Sequence, residues 1–149
     1  MGTALSQYLK LKGADSEVMM AILSNYTPEC VVECTLSCSI DELKAYSGDY
    51  APGEFAQRFE KAVLLAQHNS SRAVTHNKGI MNGVDAVVLA TGNDFRAIEA
   101  GVHAYAAKSG KYTSLTKIDI KNDEFKYTLK LPLALGTVGG LTKLHPLAN

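Results

Sequence analysis

No excess of charge of either sign marks this sequence: 15 basic residues balance 15 acidic ones. A nucleic-acid binder gains much of its affinity from a basic surface that neutralises phosphates, so polyanion partners are excluded. Long apolar runs are missing too. The longest, Val18 to Leu23, is six residues, against the roughly 18 needed to span a bilayer, and no membrane partner is expected. Ser6, Gln7 and Lys10 stand where a signal peptide would carry its apolar centre, so the chain reads as cytoplasmic. The sequons at Asn25 and Asn69 then carry no sugar.

Cysteine is scarce and odd in number: Cys30, Cys34 and Cys38. They fall in Cys30-Val-Val-Glu-Cys-Thr-Leu-Ser-Cys38, whose β-branched residues favour a strand. Residues four apart on a strand are separated by about 13 Å, too far for one zinc ion, and a disulfide wants Cα atoms within about 7 Å. Reduced thiols on one strand face are expected, and no metal. Common catalytic signatures are absent as well: there is no G-x-G-x-x-G, H-E-x-x-H, G-x-S-x-G or calcium loop. Gly136-Thr-Val-Gly-Gly-Leu-Thr-Lys143 lacks the Gly-Lys-Ser/Thr order of a phosphate loop.

What is present is a 149-residue chain with 46% apolar residues, the length of one domain, which buries roughly 70% of its unfolded surface without help from disulfides or metal. The pattern predicts an α+β fold, helices packed with a sheet that includes an antiparallel hairpin near 113–133. Ala4 to Leu11 reads as a short helix stopped by Gly13. Glu17 to Ser24 reads as a buried strand, and Val31 to Ser37 as the cysteine strand. Ser39 and Glu42 have capping-box spacing for a short helix to Tyr46. Pro52 opens a helix whose face is Phe55, Phe59, Val63 and Ala66. Arg72 to Thr91 suits a helix by length, although Ala86 to Ala90 alone could be a strand.

A further helix from Asp94 to Lys108 carries Ile98, Val102, Tyr105 and Ala106 inward and stops at Gly110. Then the period changes to two. Phe125, Tyr127, Leu129 and Leu131 alternate with polar residues, and Lys121-Asn-Asp-Glu124 supplies the turn. Leu133 to Asn149 is Gly-rich and then apolar, as if entering another helix.

The densest polar cluster is Arg72-Ala-Val-Thr-His-Asn-Lys-Gly-Ile-Met-Asn82, followed by Thr91-Gly-Asn-Asp-Phe-Arg96. On a helix Lys78 and Asn82, four apart, share a face and can address one small-molecule group. Asp94 would stand in the first turn of the next helix, where the amide dipole favours its charged form. His68, His76 and His103 have no metal-ligand spacing and read as polar helix residues.

Arg72 to Gly83, with Val87-Val-Leu-Ala-Thr-Gly-Asn-Asp94, closely resembles bacterial-type (class II) hydroxymethylglutaryl-CoA (HMG-CoA) reductase. Ile22-Leu-Ser-Asn-Tyr26, Ala104-Tyr-Ala, Leu133 to Lys143 and His145-Pro-Leu-Ala148 extend the likeness along the chain, which covers about a third of a typical member. The resemblance implies interconversion of HMG-CoA with mevalonate and free CoA, using NADH or NADPH, in a homodimer or higher oligomer. It implies catalytic roles for Lys78 and Asp94, substrate binding by Arg72 and Asn82, cofactor contact by Asn25, and no catalytic metal. Lys78 would stabilise the carbonyl oxygen's developing negative charge. Arg72 would fork onto the substrate's free carboxylate.

It also implies that residues 1–25 are the last helix and strand of a ferredoxin-like NAD(P)-binding small domain, and that 26–149 are part of the large catalytic domain. The family's catalytic glutamate and the histidine that protonates the CoA thiolate match no motif here, and His145 belongs to a different segment. The chain alone is therefore expected to be inactive and prone to self-association. The alternative is a non-catalytic binding or assembly module that keeps part of the HMG-CoA site.

Overall fold

Period-two alternation near the C-terminal end builds the sheet against which the helices pack. The computed structural model describes residues 2–14, 17–136 and Pro146. In chain order the elements are α1 (Gly2–Leu11), β1 (Val31–Ser39), a 3-10 turn (Asp41–Ala45), α2 (Pro52–His68), α3 (Ser70–Ala90), α4 (Phe95–Ala106), β2 (Thr116–Lys121) and β3 (Glu124–Pro132). The sheet order is β1-β3-β2, antiparallel throughout, with Cys34 opposite Leu129 and Ile118 opposite Tyr127. Asn122 and Asp123 at the hairpin tip have φ of 50° and 64°, the left-handed pair that a two-residue turn requires.

Alternation sorts β3 between two faces. Phe125 and Leu131 are buried under the helices, while Lys126 and Lys130 point the other way. One core cluster joins Met81 and Val88 of α3, Ile98, Val102 and Tyr105 of α4, and Leu131 of β3. The other joins Leu43, Ala56 and Phe125 with the partly buried Phe59 and Tyr127. The Phe59 ring meets Phe125 and Tyr127 edge-on, with centroids 5.4 and 5.2 Å away, the geometry the ring quadrupoles favour.

Local capping sets the helix limits. Ser39 and Glu42 form the expected box, with the Ser39 amide donating to Glu42 Oε2 at 2.7 Å and the Glu42 amide donating to Ser39 Oγ at 3.4 Å. The Ser39 hydroxyl also donates to Glu42 Oε2, at 2.9 Å, and the two bonds that Ser39 gives to the carboxylate hold the Glu42 carboxyl below the usual range, the backbone bond contributing most. A single residue, Asn69, joins two helices. Its amide donates to Leu65 O, closing α2, and its side chain accepts from the Arg72 amide, opening α3. At the far end of α3, Gly92 has φ of 71° and donates to Leu89 O, while Asn93 donates to Val88 O, a Schellman ending.

Three expectations are corrected. Glu17 to Ser24 forms no strand; those residues are irregular and exposed, Met19 and Leu23 at 85% and 89%. An apolar run signals a wish for burial, but a strand also needs a partner, and among the described residues β1 pairs only with β3. α4 ends at Ala106 rather than Lys108, because Thr113 returns to donate to Ala106 O at 3.0 Å; Gly110, with φ of 85°, turns the chain beyond the helix end. Asp94 is the N-cap of α4 rather than part of its first turn, accepting from the Ala97 amide at 3.1 Å. Asp94→Ala is expected to cost about 1 kcal/mol of stability, read as a lower urea midpoint with an unchanged slope. The reading of 133–149 as entering a helix lies almost wholly outside the described residues.

Candidate active site

α3 carries three of the five candidate residues. Its inward face is Ala73, Asn77, Met81 and Val88, all buried, so the helix phase is fixed and the opposite face looks outward. Lys78 and Asn82 lie on that exposed side, about 40° apart in rotation and about 6 Å in height. The structure brings them together as the spacing implied. Arg72, half-buried in the first turn, is about 120° around the helix from Lys78 and about 9 Å from it along the axis. It flanks the polar row without joining it.

Asp94 is separated further. From Lys78 to the end of α3 at Ala90 the helix rises about 18 Å, and Asp94 comes four residues later, exposed at the cap of α4. The three ion pairs among the described residues are Arg58–Glu54, Lys121–Asp119 and Lys130–Glu33, so Lys78 and Asp94 do not touch within this chain. Asn25 stands elsewhere again. Its carbonyl oxygen is 2.7 Å from where a Cβ on Gly101 would lie, which explains a glycine inside α4: only a bare backbone admits the loop.

The pocket around Asn25 has a volume of about 120 Å³, lined by Ser24, Thr27, Ala97, Ile98 and Gly101 among others. Ligand pockets start at about 300 Å³, so a dinucleotide does not fit there. An open apolar groove of about 530 Å³ does run along α3, where Gly79 and Gly83 offer no side chains and Ile80, Val84 and Val87 face Leu129. No cluster of three or more His, Cys, Asp or Glu residues could hold a metal among the described residues.

Asn77 was not singled out in the sequence. It is fully buried; its Nδ2 donates to Thr113 O at 2.9 Å and its Oδ1 accepts from the Leu115 amide at 3.0 Å. The signal that could have found it is a polar residue in phase with the apolar positions 73, 81 and 88. One residue earlier, His76 Nε2 and Thr116 Oγ1 share a hydrogen bond of 2.7 Å. Burial, then the Arg72 charge, pushes the imidazole's pKa down, so His76 stays neutral and serves as a tether.

Asp85, also on α3, was missed too. One carboxylate oxygen, Oδ1, is fully shielded without a hydrogen-bond partner. Burial first, then the Glu99 charge from α4, pushes its pKa up, against the opposing pull of His103. A raised carboxyl pKa means that the fold prefers the protonated form. Its contribution is therefore complete at acid pH and is lost as pH rises through the folded-state pKa. Asp85→Asn is expected to raise Tm at neutral pH, with the advantage shrinking as pH falls below the carboxylate range. A constant advantage at every pH would show that the charge is not the cause.

Lys78 and Asn82 thus share one exposed face of α3, Arg72 stands on its flank, and the apolar groove lies on another face of the same helix. The hydroxymethylglutaryl-coenzyme A reductase family matches residues 1–149, and this chain belongs to it. The enzyme of Archaeoglobus fulgidus is 50% identical over 89 residues, 59% of this chain and 20% of that protein. A probable reductase of Borreliella burgdorferi is 37% identical over 129 residues, 87% of this chain and 30% of its own length.

Among solved structures, the reductase of Streptococcus pneumoniae superposes with a TM-score of 0.78 at 36% identity, covering 92% of this chain and 37% of that one. A class II reductase from the same organism, bound to NADPH in open conformations, has the same TM-score and covers 93% and 37%. The chain thus spans 20% to 30% of the curated relatives it matches.

Proposed function

We propose that this chain is the substrate-side portion of an HMG-CoA reductase, an enzyme that interconverts HMG-CoA with mevalonate and CoA using NADH or NADPH. The observation that carries it is the polar row of α3, Lys78 and Asn82 together on one exposed helix face, in a chain of this family. Lys78 Nζ would donate to the thioester carbonyl oxygen and stabilise the negative charge that develops there during reduction. Asn82, one turn on, would hold the same oxygen or its neighbour in line. Arg72 would grip the free carboxylate at the other end of the acyl group.

The bound nicotinamide would supply hydride chemistry; toward it, this reading assigns Asn25, in a pocket too small to take a whole dinucleotide. Residues 1–25 are read as the last part of the small NAD(P)-binding domain and 26–149 as part of the large domain. The roughly 18 Å of helix beyond Lys78 supports a site in which Asp94 acts with groups outside this chain. Those groups include the glutamate and the histidine that complete the chemistry, and the second subunit of a homodimer or larger oligomer. Cytoplasmic residence fits the absence, among the described residues, of a helix long and apolar enough to cross a membrane.

The test is nicotinamide oxidation by the purified chain with HMG-CoA and NADH or NADPH, beside Lys78→Ala. No turnover is expected from either, with HMG-CoA still bound by the parent chain. Turnover abolished by Lys78→Ala would show that the 149 residues hold a working site. Absence of both turnover and binding would overturn the substrate-side reading in favour of an assembly module.

A further inference from the structure

Beyond its end, α4 hands the chain to a loop that returns to the sheet, and together they bound a pocket of about 490 Å³, inside the size range of small-molecule sites. Its floor is apolar: Tyr105, Ala106 and Leu115 are all buried. Three lysines line it, Lys108 from the loop, Lys117 from β2 and Lys130 from β3, against one carboxylate, Glu33 of β1. The register sets Lys117 opposite Thr128, so Lys117 and Lys130 are diagonal neighbours on one face of the sheet, with Cα atoms about 7–8 Å apart. Glu33 pairs with Lys130, at 3.2 Å. Lys108 and Lys117 have no carboxylate partner among the described residues, and the Lys108 ammonium is held 3.7 Å from the Tyr105 ring centroid.

A helix end would ordinarily oppose an anion here, because its last carbonyls carry partial negative charge. In α4 those carbonyls are taken. Ala104 O and Tyr105 O accept from the Ala107 and Lys108 amides, and Ala106 O accepts from both the amide and the hydroxyl of Thr113. The pocket is left with two more cationic side chains than anionic ones, and gathering like charges costs free energy until a counter-charge arrives. The walls come from the stretch 105–117 and from strands paired with one another, so contacts within the chain set the shape. A lysine rim is the chemistry of a wetted surface, since lysine is almost never buried unpaired.

We propose that this pocket binds a phosphate monoester carried on a compact organic body, at a site separate from the polar row of α3. The phosphate would sit between Lys117 and Lys130 with Lys108 closing on it, and the organic body would cover the Leu115 floor. A bare inorganic ion would leave most of the volume empty. None of Arg72, Lys78 and Asn82 lines the pocket, so the site stands whether or not α3 binds HMG-CoA.

Adenosine monophosphate is the probe, titrated calorimetrically into the 149-residue chain. One molecule per chain should bind, inorganic phosphate should bind more weakly, and adenosine, which lacks the charge, should not bind. Lys117→Ala should weaken the nucleotide about tenfold or more, the worth of one charge-assisted hydrogen bond, and Glu33→Gln should tighten it by releasing Lys130. Lys126→Ala is the control: it removes the same charge from the same sheet face but outside the pocket, and should change nothing. Arg72→Ala should leave nucleotide binding intact. Three results would each overturn the proposal. They are no binding of adenosine monophosphate, equal losses in Lys117→Ala and Lys126→Ala, which would reduce it to general charge attraction, and a loss in Arg72→Ala, which would put the nucleotide on the substrate row.

Discussion

Asn77→Ala is expected to lower the unfolding free energy by about 2–6 kcal/mol, because it orphans a buried amide and a part-buried carbonyl at once, each worth about 1–3 kcal/mol. The amide bridges Thr113 O and the Leu115 amide, and no other side chain bonds that pair among the described residues. Urea unfolding followed by circular dichroism reads the loss. Asn77→Asp tells the two halves of the bridge apart: it keeps the acceptor for Leu115, deletes the donor to Thr113 and buries a charge, so at neutral pH it should be no better than alanine. A cost below about 1 kcal/mol would mean that water takes over both bonds. The effect reaches the candidate site, since Asn77 precedes Lys78 and locks the rotation that turns Lys78 outward.

Arg72→Ala should weaken HMG-CoA binding about ten- to a hundredfold, the worth of a charge-assisted hydrogen-bond pair of about 1.5–3 kcal/mol. Arg72→Lys should recover only part, since an ammonium cannot fork onto both carboxylate oxygens. Calorimetric titration of the 149-residue chain measures both. An independent readout is His76, whose pKa is lowered first by burial and then by the Arg72 charge. Removing Arg72 should move the imidazole's NMR titration upward while leaving it below the value of a free histidine, because burial persists. The neutral imidazole's contribution is present above the ordinary histidine pKa and fades as pH falls below it. Unchanged affinity in Arg72→Ala would remove that residue from the substrate site.

The parts of this fold that were legible in the sequence follow local rules. The Asn122-Asp123 turn, the Ser39–Glu42 box and the phase of α2 and α3 each depend on residues within a few positions of one another, where dihedral preference and side-chain reach decide the outcome. Residues 17–24 failed because strand formation is a relation between two segments, and the sequence of one says nothing of the other. The site was legible by half for a similar reason. Lys78 and Asn82 are neighbours on one helix, which spacing alone reveals. The separation of Asp94 from Lys78 depends on α3 running unbroken to Ala90, and chain proximity concealed it. Asn77 and Asp85 were hidden because a polar residue on an inward face is invisible until its partners are in place.

The junction at Asn69 has a mechanical consequence. Because one residue ends α2 and caps α3, no slack separates the two helices, and they meet as a rigid elbow. α2 is seated on the sheet through Phe59 against Phe125 and Tyr127, while Arg72 lies in the first turn past the joint. The aromatic stack at one arm of the elbow therefore aims the guanidinium at the other, and repacking those rings would steer Arg72 without touching it.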